Sequence, residues 1–380
     1  MDAKTAARET VESNAQSLVG LSHRVHAHPE LKFEEVKSSQ WTAGLLSDAG
    51  LTVDMGICDL PTAFSCRVGT GSLHLAICAE YDALPGIGHA CGHNIIAATA
   101  VGAGLALAAL ADDLDLTISV IGTPAEEGGG GKVFMLERGA FDGVDAAMMV
   151  HPAPLEDLTP RVSAVAHFGV SYEGRASHAA AAPELGINAA DAFTVAQVAI
   201  GLLRQHFRRG DQVHGFVTHA GDAPNIVPAR AEGLWMVRAP TIADLATTRP
   251  RVEHCFEAGA LATGATLSIA DVAPVYSHME HDHAIVDAYR ANAIALGRTP
   301  DDENEITFST DMGNVSLQIP SIHPCIAIET GGAVNHQPEF AGACVNASAD
   351  RAVLEGSLAL AWTAIDLATG PLRARLTQSK

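Results

Sequence analysis

Apolar and polar positions change their spacing along this chain, and the changes mark out its elements. Between residues 5 and 26, Val11, Leu18, Leu21 and Val25 fall on one side of a helical pattern, which predicts an amphipathic helix stopped by Pro29. A second helix is expected over 35–49, with Gly50 as its C-terminal stop. Short β-rich runs follow at 51–55, 63–68 and 73–79. The Ala- and Gly-rich run 95–111 ends at Asp112-Asp113 and reads as part of a buried helix over 94–111. It falls short of the ~20 strongly apolar residues of a membrane span. A strand at 116–122, a helix near 132–138 and a strand at 146–150 continue the alternation. Strands alternating with helices imply a mostly parallel sheet covered on both faces.

From about residue 162 the rhythm changes. The pattern predicts strand 162–173, helix 186–208, strands 212–219 and 229–238, helix 241–262 and strand 265–273, which is the β-α-β-β-α-β order of a ferredoxin-like sandwich. Helix 282–297, strand 322–328 and helix 342–369 then resume the first pattern. A chain of 380 residues exceeds one ordinary core. The expected fold class is therefore α/β, with a mostly parallel-sheet domain in two parts, 1–163 and 277–380, interrupted by a ferredoxin-like α+β domain at 164–276.

Composition narrows the function classes. A net charge of −21 argues against nucleic acid and anionic membrane surfaces as partners. The seven cysteines are odd in number and scattered, so they do not read as a disulfide framework. The first residues carry no apolar core of a secretion signal, and a cytoplasmic location is the expectation.

Two stretches carry the chemistry. Glu80, Asp82, His89, Cys91 and His93 crowd into one Gly/Pro-rich loop, and Glu126-Glu127 precede four glycines after an apolar run. In open α/β sheets ligands bind beyond the carboxyl ends of the strands. The predicted strands end there into Glu80 and Asp82, into Glu126 and Glu127, into His151, and toward His336. Taken singly, each residue has a plain reading. His151 or His336 can be a satisfied histidine, Cys91 a small buried hydrophobe, Glu126-Glu127 an acidic helix start and Asp82 a turn cap. Together, a thiol, imidazoles and spare carboxylates point to a transition-metal hydrolase site. A Cys–His nucleophile is the rival chemistry. Cys91 and His93, two residues apart, suit chelation better than a dyad, and the paired glutamates would be idle in that scheme.

At these residues the sequence resembles the M20 metallopeptidase family of aminoacylases, carboxypeptidases and amidohydrolases. The resemblance rests on His26-Ala27-His28-Pro29-Glu30, Asp82-Ala83-Leu84-Pro85, His89-Ala90-Cys91-Gly92-His93 and Pro124-Ala125-Glu126-Glu127-Gly128. Ser177-His178-Ala179, Asn225-Ile226-Val227-Pro228 and Ser309-Thr310-Asp311 extend it, all in order. Glu80-Tyr81-Asp82 and the last two blocks look closest to the branch that cleaves β-alanyl dipeptides. The resemblance implies Cys91, His93, Glu127, His151 and His336 as metal ligands, Glu126 as general base, and Asp82 orienting a ligand. His178 would sit on a lid and dimerisation domain and reach the partner subunit's site in a homodimer. Asn225 and Arg238 would grip the substrate. The implied cofactor is Mn or Zn, one or two ions per subunit. Many relatives have His-X-Asp where this chain has Glu80 and Asp82, and aspartate where it has Cys91. The expected activity is metal-dependent hydrolysis of the amide bond in N-acyl amino acids or dipeptides. The alternatives are a p-aminobenzoyl-glutamate or aromatic-amine hydrolase on the same site, and a non-catalytic metal-binding regulatory protein.

Overall fold

The computed structural model describes residues 2–300 and 307–378. The chain divides into two compact units, Met1–Arg161 with Met279–Lys380, and Val162–His278.

The first unit is built on a six-stranded sheet. Its spatial order is Asp54–Met55, Phe64–Val68, Leu116–Gly122, Leu73–Ala79, Ala146–Met148, Ser321–Ile322. The four strands from Leu116–Gly122 onward are parallel, and the two at the other edge are antiparallel. Every residue of Leu73–Ala79 and Leu116–Gly122 is buried, as expected of continuous apolar runs covered on both faces. A two-stranded parallel extension pairs His151–Ala153 with Cys325–Ala327.

The helix His93–Ala108 is buried on all sides. It packs on the two central strands, on helices Ala3–Ser13, Ala15–His26 and Val36–Asp48, and on the long helix Ala347–Thr369. Its glycines permit this. A Cβ at Gly102 would lie 2.3 Å from Ser357 Oγ and 3.0 Å from Leu18 Cδ1. Ala347–Thr369 is the one helix among the described residues long and apolar enough to cross a membrane, and most of it is buried in this core.

The second unit is a four-stranded antiparallel sheet in the order Thr266–Asp271, Ala164–Glu173, Arg230–Ala239, Gln212–His219. Helices Ala189–Leu203 and Ile242–Thr263 pack on each other and on the two central strands. Phe168, Tyr172, Phe193, Trp235 and Phe256 fill the space between helices and sheet. This is the ferredoxin-like order expected from the sequence.

The structure departs from the sequence pattern in several places, three of which have a clear local cause. The helix expected over 5–26 is two helices, Ala3–Ser13 and Ala15–His26. At the break, Asn14 turns its side-chain amide back onto the Thr10 carbonyl at 2.8 Å, a local bond that competes with the helical ladder. The strand expected at 322–328 is split into Ser321–Ile322 and Cys325–Ala327, with Pro324, which has no N–H for a ladder, between them. The last long helix starts at Ala347, where Asn346 accepts hydrogen bonds from the Ser348 and Ala349 amides as N-cap.

Gly102→Ala tests the close helix packing. Alanine favours a helix over glycine by ~1 kcal/mol, but overpacking against Ser357 and Leu18 should cost about 1–3 kcal/mol and lower Tm. A raised Tm in a thermal melt would show that the helices can part without cost.

Candidate metal centre

Parallel pairing brings the site together. Ala79 lies beside Gly122 in the sheet register, so the segments leaving these two strands run side by side. The Thr123 N–H donates to the Ala79 carbonyl at 2.8 Å, and the Glu127 N–H donates to Asp82 Oδ2 at 2.8 Å. Gly92, at φ +79°, turns the chain into the helix that His93 opens. A Cβ at Gly92 would come within 2.4 Å of Pro152 Cγ, so the turn needs glycine for space as well as for conformation. His336, itself at φ +69°, is placed by its N–H bonding the Ala90 carbonyl at 2.8 Å.

All five expected ligands meet. Cys91, His93 and His151 form one group of converging ligand atoms, Cys91, Glu127 and His336 a second, and Glu80, His93 and Glu126 a third. Cys91 belongs to the first two groups and lies between them. Its sulfur is 3.5 Å from His151 Nε2 and 3.7 Å from His336 Nε2, and His336 Nε2 is 3.6 Å from Glu127 Oε1. Two ligands of one tetrahedral ion, with bonds of ~2.0–2.3 Å, stand about 3.3–3.8 Å apart. Asp82 Oδ1 lies 2.9 Å from His93 Nδ1, which turns Nε2 of that ring into the site. The His151 ring stacks on both Phe308 and His323, which also meet each other, and its Nδ1 is 2.8 Å from the Pro152 carbonyl, which leaves Nε2 as the atom facing Cys91.

The unsatisfied atoms argue for a cation. Glu80 Oε2, His93 Nε2 and Glu127 Oε1 are buried without a hydrogen-bond partner among the described residues. Each such atom costs ~1–3 kcal/mol, more if charged. These atoms belong to the groups of converging ligand atoms, where divalent ions would satisfy them, so the residues present fit a metal. The electrostatics agree. Burial, then the carboxylates of Glu127 and Glu80, push Glu126 well above the usual carboxylate range. Burial and Glu127 raise the Cys91 thiol. Burial opposes charge on His93, yet Asp82 carries the ring well above its ordinary value. Burial and His93 push His151 down to about 4, so it is neutral and able to coordinate. This argues against a Cys–His nucleophile. That chemistry needs a thiolate, whereas here burial and Glu127 favour the neutral thiol, even though the His93 ring is held in its charged form.

Of the remaining expected residues, His178 and Asn225 lie in the second unit, exposed and on adjoining segments. The Ala179 N–H donates to the Asn225 carbonyl at 3.0 Å. The Ala180 and Ala181 amides donate to His178 Nδ1 at 3.2 and 3.0 Å. Arg238 is half-buried on the strand Arg230–Ala239 of the same unit.

Sequence reasoning passed over three residues. Lys132 is fully buried and pairs with Glu80 and Asp311. His323 stacks on His151. Glu35, fully buried, accepts the Ala125 N–H at 2.8 Å, the Phe33 N–H at 2.9 Å and the Thr62 hydroxyl at 2.9 Å. Ala125 sits at φ +62°, directly before Glu126, so Glu35 holds the strained turn that presents the two glutamates. A signal for Glu35 existed in its place just after the His26–Glu30 block, but Glu34-Glu35 reads equally well as an acidic helix start.

Residues 76–352 match the family model described as peptidase family M20/M25/M40. The chain belongs to that family. It is 36% identical to the mouse "Xaa-Arg dipeptidase" over 97% of this chain and 89% of the relative. It is 34% identical to a subunit of the Escherichia coli p-aminobenzoyl-glutamate hydrolase over 68% of this chain and 58% of the relative. Among solved structures, a Bacillus subtilis dinuclear metal-binding peptidase of the M20 family shares the fold, with TM-score 0.71 and 22% identity over 94% of this chain and 99% of that one. A Klebsiella pneumoniae aminobenzoyl-glutamate utilization protein does so with TM-score 0.74 and 20% identity over 95% and 99%. This member of the M20/M25/M40 family is a hydrolase.

Glu35 gives a test by pH. Burial, then Asp82, push its carboxyl up from 4.5 to about 7. Between those values the folded chain keeps a proton that the unfolded chain has released, so stability falls as pH rises through that window and levels off above it. Glu35→Gln cannot ionise. Relative to that variant, the wild type should lose Tm between about pH 5 and 7.5; a Tm difference equal at both ends would contradict the assignment.

Proposed function

We propose that this hydrolase is a metal-dependent amidohydrolase that cleaves dipeptides or N-acyl amino acids. The observation that carries the reading is that two three-ligand groups share Cys91 beside Glu126. Cys91, His93 and His151 would hold one divalent ion, and Cys91, Glu127 and His336 a second. The thiolate suits zinc; the carboxylate and imidazoles also suit manganese. The ions, when bound, supply Lewis acidity that makes water a usable nucleophile near neutral pH and polarises the amide carbonyl.

The residues of the chain do the rest. Glu126 takes the proton of the attacking water on a carboxylate oxygen and passes it to the leaving nitrogen. Its raised proton affinity suits the second step, and the cations would lower that affinity enough for the first. Asp82 fixes the His93 ring through Nδ1. Glu35 fixes the turn before Glu126. His178, acting on the partner subunit's site in a homodimer, is proposed to hold the oxyanion, and Asn225 and Arg238 to grip the substrate, on the strength of the family resemblance. The dipeptide class is favoured because the Xaa-Arg dipeptidase matches nearly the whole chain, while the p-aminobenzoyl-glutamate hydrolase matches about two thirds of it.

Amine release tests this on a panel of dipeptides, including some with C-terminal arginine, N-acyl amino acids and p-aminobenzoyl-glutamate, with Zn²⁺ or Mn²⁺ added. Wild type should turn over the dipeptides best. Glu126→Gln should keep the wild-type metal content and lose ~10²–10⁴-fold in kcat. Undiminished turnover by Glu126→Gln would remove Glu126 from its role. Preferred cleavage of p-aminobenzoyl-glutamate would move the substrate to the second class.

A further inference from the structure

Lys132 has no part in the chemistry above, yet it lies directly beneath it. Its Nζ donates to Glu80 Oε1 at 2.5 Å and to Asp311 Oδ1 at 2.7 Å, and its backbone N–H donates to Asp311 Oδ2 at 2.9 Å. All three side chains are fully buried. The sharp return of the chain after Glu127 places the lysine there. A Cβ at Gly131 would lie 1.8 Å from the Pro124 carbonyl oxygen, so only glycine lets the turn close and feed Lys132 under the site.

The triad does not neutralise itself. One ammonium stands between two carboxylates, and it engages only one oxygen of Glu80. The other, Oε2, has no hydrogen-bond partner and lies 3.4 Å from His93 Nε2, which has none either. Asp82 holds the Nδ1 side of that ring, so in the neutral ring the Nε2 lone pair faces a carboxylate lone pair. Two buried acceptors pointed at one another repel unless a cation lies between them: without a metal a proton on Nε2 fills that role, in line with the raised proton affinity of the ring, and a bound metal ion would replace it. Their separation is the span of two ligands on one ion.

We propose that Glu80 is a further metal-facing carboxylate, beyond the Cys91, His93, Glu127, His151 and His336 set, and that Lys132, itself held by Asp311, is the residue that positions it. Lys132 takes one Glu80 oxygen so that the other is aimed at the His93 side of the centre. The proposal rests on the metal-centre reading above, and its test separates the two.

Zn²⁺ and Co²⁺ are titrated into chelator-stripped full-length protein, with a competing chelator to fix the Kd and the visible d–d bands of bound Co²⁺ as a second readout. Glu80→Gln keeps an acceptor for Lys132 and removes the charge facing His93. It should weaken the tighter metal site about 10–100-fold and shift the Co²⁺ bands. Asp311→Asn keeps the Lys132–Glu80 pair. It should lower Tm while changing metal affinity several-fold less than Glu80→Gln does. If Glu80→Gln does not fold, Glu80→Asp takes its place in the same titration, with the same loss expected because the shorter side chain cannot reach both Lys132 and His93. Unchanged affinity and bands in a folded Glu80 variant, or equal losses from Glu80→Gln and Asp311→Asn, would overturn the proposal and leave the five-ligand centre standing. Failure of wild type to bind either ion would overturn the centre itself.

Discussion

Negative charge held out of water is the constraint on which this structure depends. Glu80, Asp82, Glu126 and Asp311 are each buried within one site, Glu127 is nearly so, and the thiol of Cys91 lies among them. Lys132 is a buried cation that the chain itself supplies there, and the raised proton affinity of His93 answers the same carboxylates. Desolvated carboxylates repel one another strongly, and burial without a counter-charge costs several kcal/mol per group. A folded chain tolerates such a cluster when something else brings positive charge to it. The directions in which Glu126 and Cys91 are shifted, and the orphaned atoms of Glu80, His93 and Glu127, are signs of the same deficit.

The fold meets this constraint with backbone rather than with side-chain reach. Parallel strands end side by side, so two acidic loops leave the sheet together. Where the loops must turn back, the chain adopts left-handed conformations at Gly92, Ala125 and His336. The two that are not glycine each cost ~1–3 kcal/mol, and they persist because neighbouring groups fix them: Glu35 at Ala125, and the Ala90 carbonyl at His336. Behind them the glycine-bearing helix His93–Ala108 and the long helix Ala347–Thr369 form a close-packed floor that keeps the ligands in place. Strain at the site is thus balanced by packing below it.

Much of this was legible in the sequence. Strands at 73–79 and 116–122 have the bounds that their apolar patterns predict, because a buried strand is a short uninterrupted run with clear punctuation. The candidate cluster was legible because a thiol, imidazoles and carboxylates crowd into residues 80–93, a glutamate pair follows a strand at 126–127, and other expected strands end toward His151 and His336. What stayed hidden depends on contacts between distant residues. Lys132 follows a glycine run and reads as an ordinary helix-start lysine; its partner Asp311 lies 179 positions away, in a block whose pattern says nothing of charge pairing. Glu35 reads as a solvated acid until Ala125 is seen against it. His323 belongs to no motif, and its stacking on His151 follows from the strand break at Pro324, which periodicity alone did not show.

The central claim is that Cys91 joins two metal positions through its sulfur. X-ray absorption at the zinc edge of zinc-loaded protein measures this directly. The account predicts about two zinc ions per chain and a sulfur shell at ~2.3 Å shared by both, beside nitrogen and oxygen ligands at ~2.0–2.2 Å. Zinc bound at full occupancy with only nitrogen and oxygen neighbours would contradict it.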